Sequence, residues 1–114
     1  MMWGDMFFHL ACGDYSTDDT NVISQEVVDM IPKDLELVYW DYFATNKERY
    51  DNMIKAYSKF NNKMWFAGSG VAYAGLTPHI ECSLMFEKAA MESCRENGVD
   101  NVFITIWGDD GQET

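Results

Sequence analysis

Apolar positions along this chain follow two alternating rhythms, short β-branched or aromatic runs and stretches in which they recur every three or four residues. Met1 to Leu10 is apolar apart from Gly4, Asp5 and His9, and reads as a strand ending near Asp5 or Met6. Ala11 to Thr20 carries four hydroxyl residues and three aspartates and reads as a loop. Ile23, Val27, Met30 and Ile31 then recur at helical spacing until Pro32 stops the helix. Leu35 to Asp41 is a second strand. Thr45 with Glu48 forms a capping box ahead of a helix whose Tyr50, Met53, Ile54, Tyr57 and Phe60 make one stripe.

Met64-Trp65-Phe66-Ala67 predicts a short third strand, followed by a glycine-rich loop from Gly68-Ser69-Gly70 to Gly75. Thr77 and Pro78 are suited to the N-cap and first residue of a helix, with Cys82, Met85, Phe86, Ala89 and Ser93 on its apolar face. Gly98 is suited to ending it. Val102, Phe103, Ile104 and Ile106 form the last strand, whose apolar run suits cover on both faces. The order is β-α-β-α-β-α-β, which predicts an α/β fold with a four-stranded parallel sheet.

Composition narrows the possible partners. A chain of 114 residues forms at most one domain, and its 47% hydrophobic content is ample for a packed core. A net charge of −11 with eight Lys and Arg excludes a phosphate-binding footprint, so nucleic acid and anionic membrane surfaces are not expected partners. No apolar run reaches the length of a membrane span. The three cysteines, Cys12, Cys82 and Cys94, lack metal-site spacing; as free thiols they favour a reducing, cytoplasmic setting. The chain opens in what reads as mid-strand, which suggests one partial domain, residues 1–114, cut from something longer.

The candidate chemistry lies at the strand ends. Trp3 and Asp5, then Tyr39, Trp40, Asp41 and Tyr42, then Trp65, then Trp107, Asp109 and Asp110 repeat one vocabulary of rings and carboxylates. At one end of a parallel sheet, flat rings and hydrogen-bond acceptors suit a neutral polyol with an apolar face. His9 and His79 have no catalytic or zinc-type spacing. Gly68-Ser69-Gly70 lacks the lysine of a phosphate loop. Asp109, Asp110 and Glu113 read as a solvated acidic turn, so neither metal nor cofactor is expected.

These strand ends resemble family 20 glycoside hydrolases, the exo-acting β-N-acetylhexosaminidases. Met1 to Phe8 resembles the family's fifth barrel strand, Ile31 to Tyr42 the sixth, Trp65 to Gly68 the seventh, and Val102 to Gly111 the eighth. The resemblance implies the C-terminal half of a TIM (β/α)8 barrel, strands five to eight, acting on terminal β-linked N-acetylglucosamine or N-acetylgalactosamine. It implies that Tyr39 positions the substrate acetamido group and that Asp41 and Asp109 accept hydrogen bonds from sugar hydroxyls. Trp3 and Trp107 would line the pocket, Tyr42 and Trp65 would join it, and Asp5 would brace the strand end. The family reaction is substrate-assisted and retaining. Its Asp-Glu pair lies on strand four, and this chain contains no Asp-Glu dipeptide. The chain also has Val71 and Tyr73 where relatives carry tryptophans, and His9 where many carry a basic residue. The chain alone is therefore expected to be inactive and, with sheet edges uncovered, to associate with itself. A non-catalytic, carbohydrate-binding or self-associating half-barrel is the alternative.

Overall fold

A computed structural model of the chain describes residues 1–12, 23–73 and 77–108. Its elements are β1 (Met2–Trp3), α1 (Asp5–Cys12), α2 (Gln25–Met30), β2 (Leu37–Trp40), α3 (Lys47–Ser58), β3 (Met64–Gly70), α4 (Ile80–Glu96) and β4 (Val102–Ile106). The four strands form one sheet in the order β1-β2-β3-β4, and all three pairings are parallel. The expected α/β class and parallel sheet are present. The helices differ from expectation at their ends, and one additional helix is present.

The pleat sorts side chains onto two faces. Leu37, Tyr39 and Phe66 join residues of all four helices in one buried core that includes Phe8, Val28, Tyr50, Met53, Ile54, Tyr57 and Ala90. That face of the sheet is the helix side. Val38, Ala67 and Ser69 have the opposite parity and are buried on the other face, outside that core. Larger rings lie over these small residues, with Phe103 6.3 Å from Trp65 and 6.5 Å from Trp3. In a flat sheet β1 and β4 would stand about 14 Å apart. The contact between Trp3 and Phe103 therefore needs a curved sheet, concave on the face away from the helices.

The predicted stripe of α3 is buried as expected: Tyr50, Met53, Ile54, Tyr57 and the following Phe60 all lie in the core. Edge-on ring contacts lock it, with Phe8 4.5 Å from Tyr57 and 5.2 Å from Phe60. Each fully buried ring of this kind contributes about 1.5–3 kcal/mol. Pro32 follows α2, and Gly98 lies just beyond α4 with φ +73°, a left-handed conformation that suits glycine.

Several local expectations are corrected. The first strand ends at Trp3, and Asp5 to Cys12 is helical, because Phe8 serves the core at helical rather than strand spacing. Ala11 and Cys12 thus belong to α1, and the rest of the predicted loop, together with Asn21 and Val22, lies outside the described residues. Two helices, not one, join β1 to β2. The N-cap of α3 is Asn46, whose Oδ1 accepts from the Arg49 N–H at 2.9 Å, so Thr45 and Glu48 do not form the box. The Tyr50 hydroxyl donates to the Ala44 carbonyl at 3.0 Å, which keeps the chain extended through Asn46.

Residues 68–70 are strand, not loop. Their ladder runs on to Gly70↔Ile106, and Gly68 leaves room for the Glu87 carboxyl, which a Cβ there would overlap. Helix α4 starts at Ile80 rather than Pro78, since the His79 N–H is drawn to the Val71 carbonyl at 2.9 Å. Finally, β4 is covered on one face only. Val102, Ile104 and Ile106, on the side where α3 and α4 shield β2 and β3, are 40%, 47% and 66% exposed.

Candidate functional site

The concave face ends, at the C-terminal edge of the sheet, in an open cleft of about 350 Å³. Trp3 reaches it from the end of β1, Trp40 from the end of β2, and Trp107 from just beyond β4. Tyr42, Asp5 and Met6 complete the wall. Four of these six residues are aromatic, and Asp5 is the only carboxylate among them. Asp5 stands in the first turn of α1.

Tyr42 ties the wall together. The Trp107 Nε1–H donates to the Tyr42 hydroxyl at 3.2 Å, and Thr105 Oγ1 lies 3.3 Å from the same oxygen. Thr105 donates its one proton to the Gly68 carbonyl at 2.9 Å, so the Tyr42 hydroxyl in turn donates to Thr105. The relay Trp107→Tyr42→Thr105→Gly68 fixes the Trp107 indole against the sheet. The Trp40 ring stands 5.1 Å from that of Tyr42. The arrangement offers a flat, largely apolar ligand several ring faces and one acceptor. Asp5 is the one carboxylate among the described lining residues.

The other predicted residues fall elsewhere. Tyr39 points to the helix side, where it is buried 5.1 Å from the Tyr57 ring and 5.4 Å from Phe66. Burial pushes its hydroxyl well above the ordinary tyrosine range, the nearby Asp41 charge adding to this, so it remains a donor and bonds Asp41 Oδ2 at 3.2 Å. Asp41 is itself buried. Its Oδ2 also accepts from Arg49 Nε at 2.6 Å, and its Oδ1 accepts from the Phe43 N–H at 3.2 Å. Both of its oxygens are therefore engaged within the chain. These groups line a narrower cleft of about 160 Å³ that shares Asp5 and Trp40 with the first.

Trp65 lies in the first half of β3, with its Nε1 donating to Glu36 Oε2 at 2.5 Å and Lys63 Nζ 5.4 Å from its ring. It does not border the aromatic cleft. Asp109 lies outside the described residues, as do Asp110 and Glu113. Of the strand-end candidates, the structure thus brings together Trp3, Asp5, Trp40, Tyr42 and Trp107, and adds Met6. Trp40 is among the strand-end rings but has no role in the family resemblance. The signal that finds it is strand parity, since Trp40 alternates with Tyr39 and only one of them can face the cleft.

Among the described residues, no three His, Cys, Asp or Glu side chains gather in a way that could hold a metal ion. No helix among them is long and apolar enough to cross a membrane. Comparison of the chain with models of known protein families and with curated proteins gives no match.

Proposed function

We propose that this chain is the sugar-binding half of a β-N-acetylhexosaminidase-like barrel of glycoside hydrolase family 20, corresponding to strands five to eight. The observation that carries the reading is the convergence of Trp3, Trp40 and Trp107, from three separate strand ends, on one cleft with Asp5 at its wall. Sequential parallel strands with every helix on the convex side are what half of a TIM barrel requires, and barrel ligands sit at this end of the strands. The indole and phenol rings would cover the apolar face of a terminal N-acetylglucosamine or N-acetylgalactosamine, and Asp5 would accept from a hydroxyl. Hydrolysis, by substrate-assisted retaining chemistry, belongs to a protein that also supplies the Asp-Glu pair. The chain alone binds without turning over.

The exposed helix-side face of β4 favours a second reading, a self-associating module without catalytic function. Tryptophan fluorescence of the chain titrated with N-acetylglucosamine, with glucose as control and the association state followed by light scattering, separates the two. A saturable change with the amino sugar alone is the expected result. A dimer with no response to either sugar would leave the second reading in its place.

A further inference from the structure

Strand β4 ends the sheet, and nothing among the described residues pairs with its outer edge. The Phe66 N–H donates to the Asn101 carbonyl at 2.9 Å, and the parallel register runs unbroken from Phe66↔Val102 to Gly70↔Ile106. Main-chain groups alternate in direction along such a ladder, so Phe103 and Thr105 turn theirs to β3. Val102, Ile104 and Ile106 turn their N–H and C=O groups outward. Natural edges of this kind are protected by lysine, proline, a bulge or an overlying element. The residues of β4 include no charge and no proline, and its register contains no bulge.

The same three residues carry the side chains left exposed on the helix side. Ile106 also borders, with the exposed Ile80 and Leu84 of α4, an open cleft of about 280 Å³. The aliphatic surface thus continues from the strand onto the helix, and none of these residues is charged.

The order of residues along β4 is self-complementary. Turned end for end about Ile104, the strand sets Val102 against the partner's Ile106, Ile104 against the partner's Ile104, and Ile106 against the partner's Val102. All three pairs join residues whose main-chain groups face outward, so each pair exchanges both hydrogen bonds of an antiparallel ladder. Their side chains fall on one face and merge into a single aliphatic row across the two-fold axis. The opposite edge of the sheet, β1, is only two residues long and can match only part of β4. A head-to-tail contact would therefore leave most of the outward groups unpaired.

We infer that two copies of this chain associate through their β4 edges, antiparallel about a two-fold axis at Ile104, joining two four-stranded sheets into one. The partner of the exposed β4 face is thus a second copy. The inference concerns association alone and does not depend on what the aromatic cleft binds. A net charge of −11 opposes the approach of two copies, so salt should strengthen the dimer by screening it.

Two measurements on the full chain test it. Light scattering between about 1 and about 100 µM should show the mass rising to twice that of the chain, and at lower concentration in high salt. Ile104→Lys sets like charges directly opposite at the axis and should weaken dimerisation at least about tenfold. Ile104→Val should retain the dimer, as should Met30→Lys, at a more exposed apolar position on α2. Ile104 is 47% exposed, so the circular dichroism of its lysine variant should match wild type. Mild oxidation of Ile104→Cys should give a covalent dimer that wild type does not. The Cα atoms of such a pair stand about 5.5 Å apart, within disulfide reach. A monomer throughout the concentration range would overturn the inference. So would a dimer that survives Ile104→Lys, or one that Ile104→Cys fails to cross-link, the result expected of head-to-tail pairing with β1.

Discussion

Removing a single hydroxyl, by Tyr42→Phe, tests whether the relay behind the cleft is real. The substitution keeps the ring, and with it the packing against Trp40 at 5.1 Å and Tyr73 at 6.3 Å. What it deletes are the contacts to Trp107 at 3.2 Å and Thr105 at 3.3 Å. Both are longer than the most common hydrogen-bond distances, which places each near the lower end of the usual net value of about 0.5–1.5 kcal/mol. Trp107 is 43% exposed, so water can take up its indole N–H. Thr105 keeps its bond to the Gly68 carbonyl. The sum is a stability loss of about 1 kcal/mol, or a fall of about 0.5 M in the urea midpoint with an unchanged slope. The freed indole should shift to longer emission wavelengths, and amino-sugar affinity should fall about fivefold because the ring must be ordered on binding. A second variant, Thr105→Val, completes a double-mutant cycle with an expected coupling of about 0.5 kcal/mol. Strictly additive losses together with an unshifted emission spectrum would show that the relay is not formed.

Two further outcomes concern the support of the site. A methyl group added at Gly4 would overlap the buried Tyr57 ring, which is packed against Phe8, Tyr39 and Phe60 and cannot swing away. Gly4→Ala should therefore cost about 2–3 kcal/mol by urea unfolding, and much less in a Tyr57→Leu background; a loss below about 0.5 kcal/mol would contradict the overlap. Glu87 accepts from the Ser69 N–H at 2.7 Å, and its other carboxylate oxygen is buried without a hydrogen-bond partner among the described residues. Burial raises the Glu87 carboxyl above its ordinary 4.5, and the Ser69 bond only partly offsets this. Because the folded value is the higher one, its contribution is complete below 4.5 and is lost as pH rises through the raised value. Glu87→Gln can still accept from Ser69 and cannot ionise, so its stability relative to wild type should improve as pH rises above 4.5 through the raised value. Parallel stability profiles for the two proteins would refute this.

The sequence by itself determined the alternation of strands and helices, the buried stripe of α3, and the ends marked by Pro32 and Gly98. Each of these is local. A stripe from Tyr50 to Phe60 can be buried only on a helix, and a proline or glycine acts on its own few bonds. The concentration of rings at the strand ends was equally legible, because those residues follow directly on the apolar runs. Tertiary structure alone decided which rings meet. Leu37-Val38-Tyr39-Trp40 fits a strand in either orientation. It is the packing of Leu37 and Tyr39 against α3 that sends Trp40, not Tyr39, to the concave face.

Side-chain geometry likewise reassigned the two aspartates. Asp41 is consumed by Arg49, Tyr39 and the Phe43 amide, whereas Asp5, carried on a helix where a strand was expected, borders the cleft. The glycines at 68 and 70 resembled a loop because composition cannot distinguish a bend from a close approach. At Gly68 the missing side chain makes room for Glu87, nineteen residues further along the chain, and no local pattern encodes that contact. Periodicity specified each element, and the curvature of the sheet chose which side chains would share a cleft.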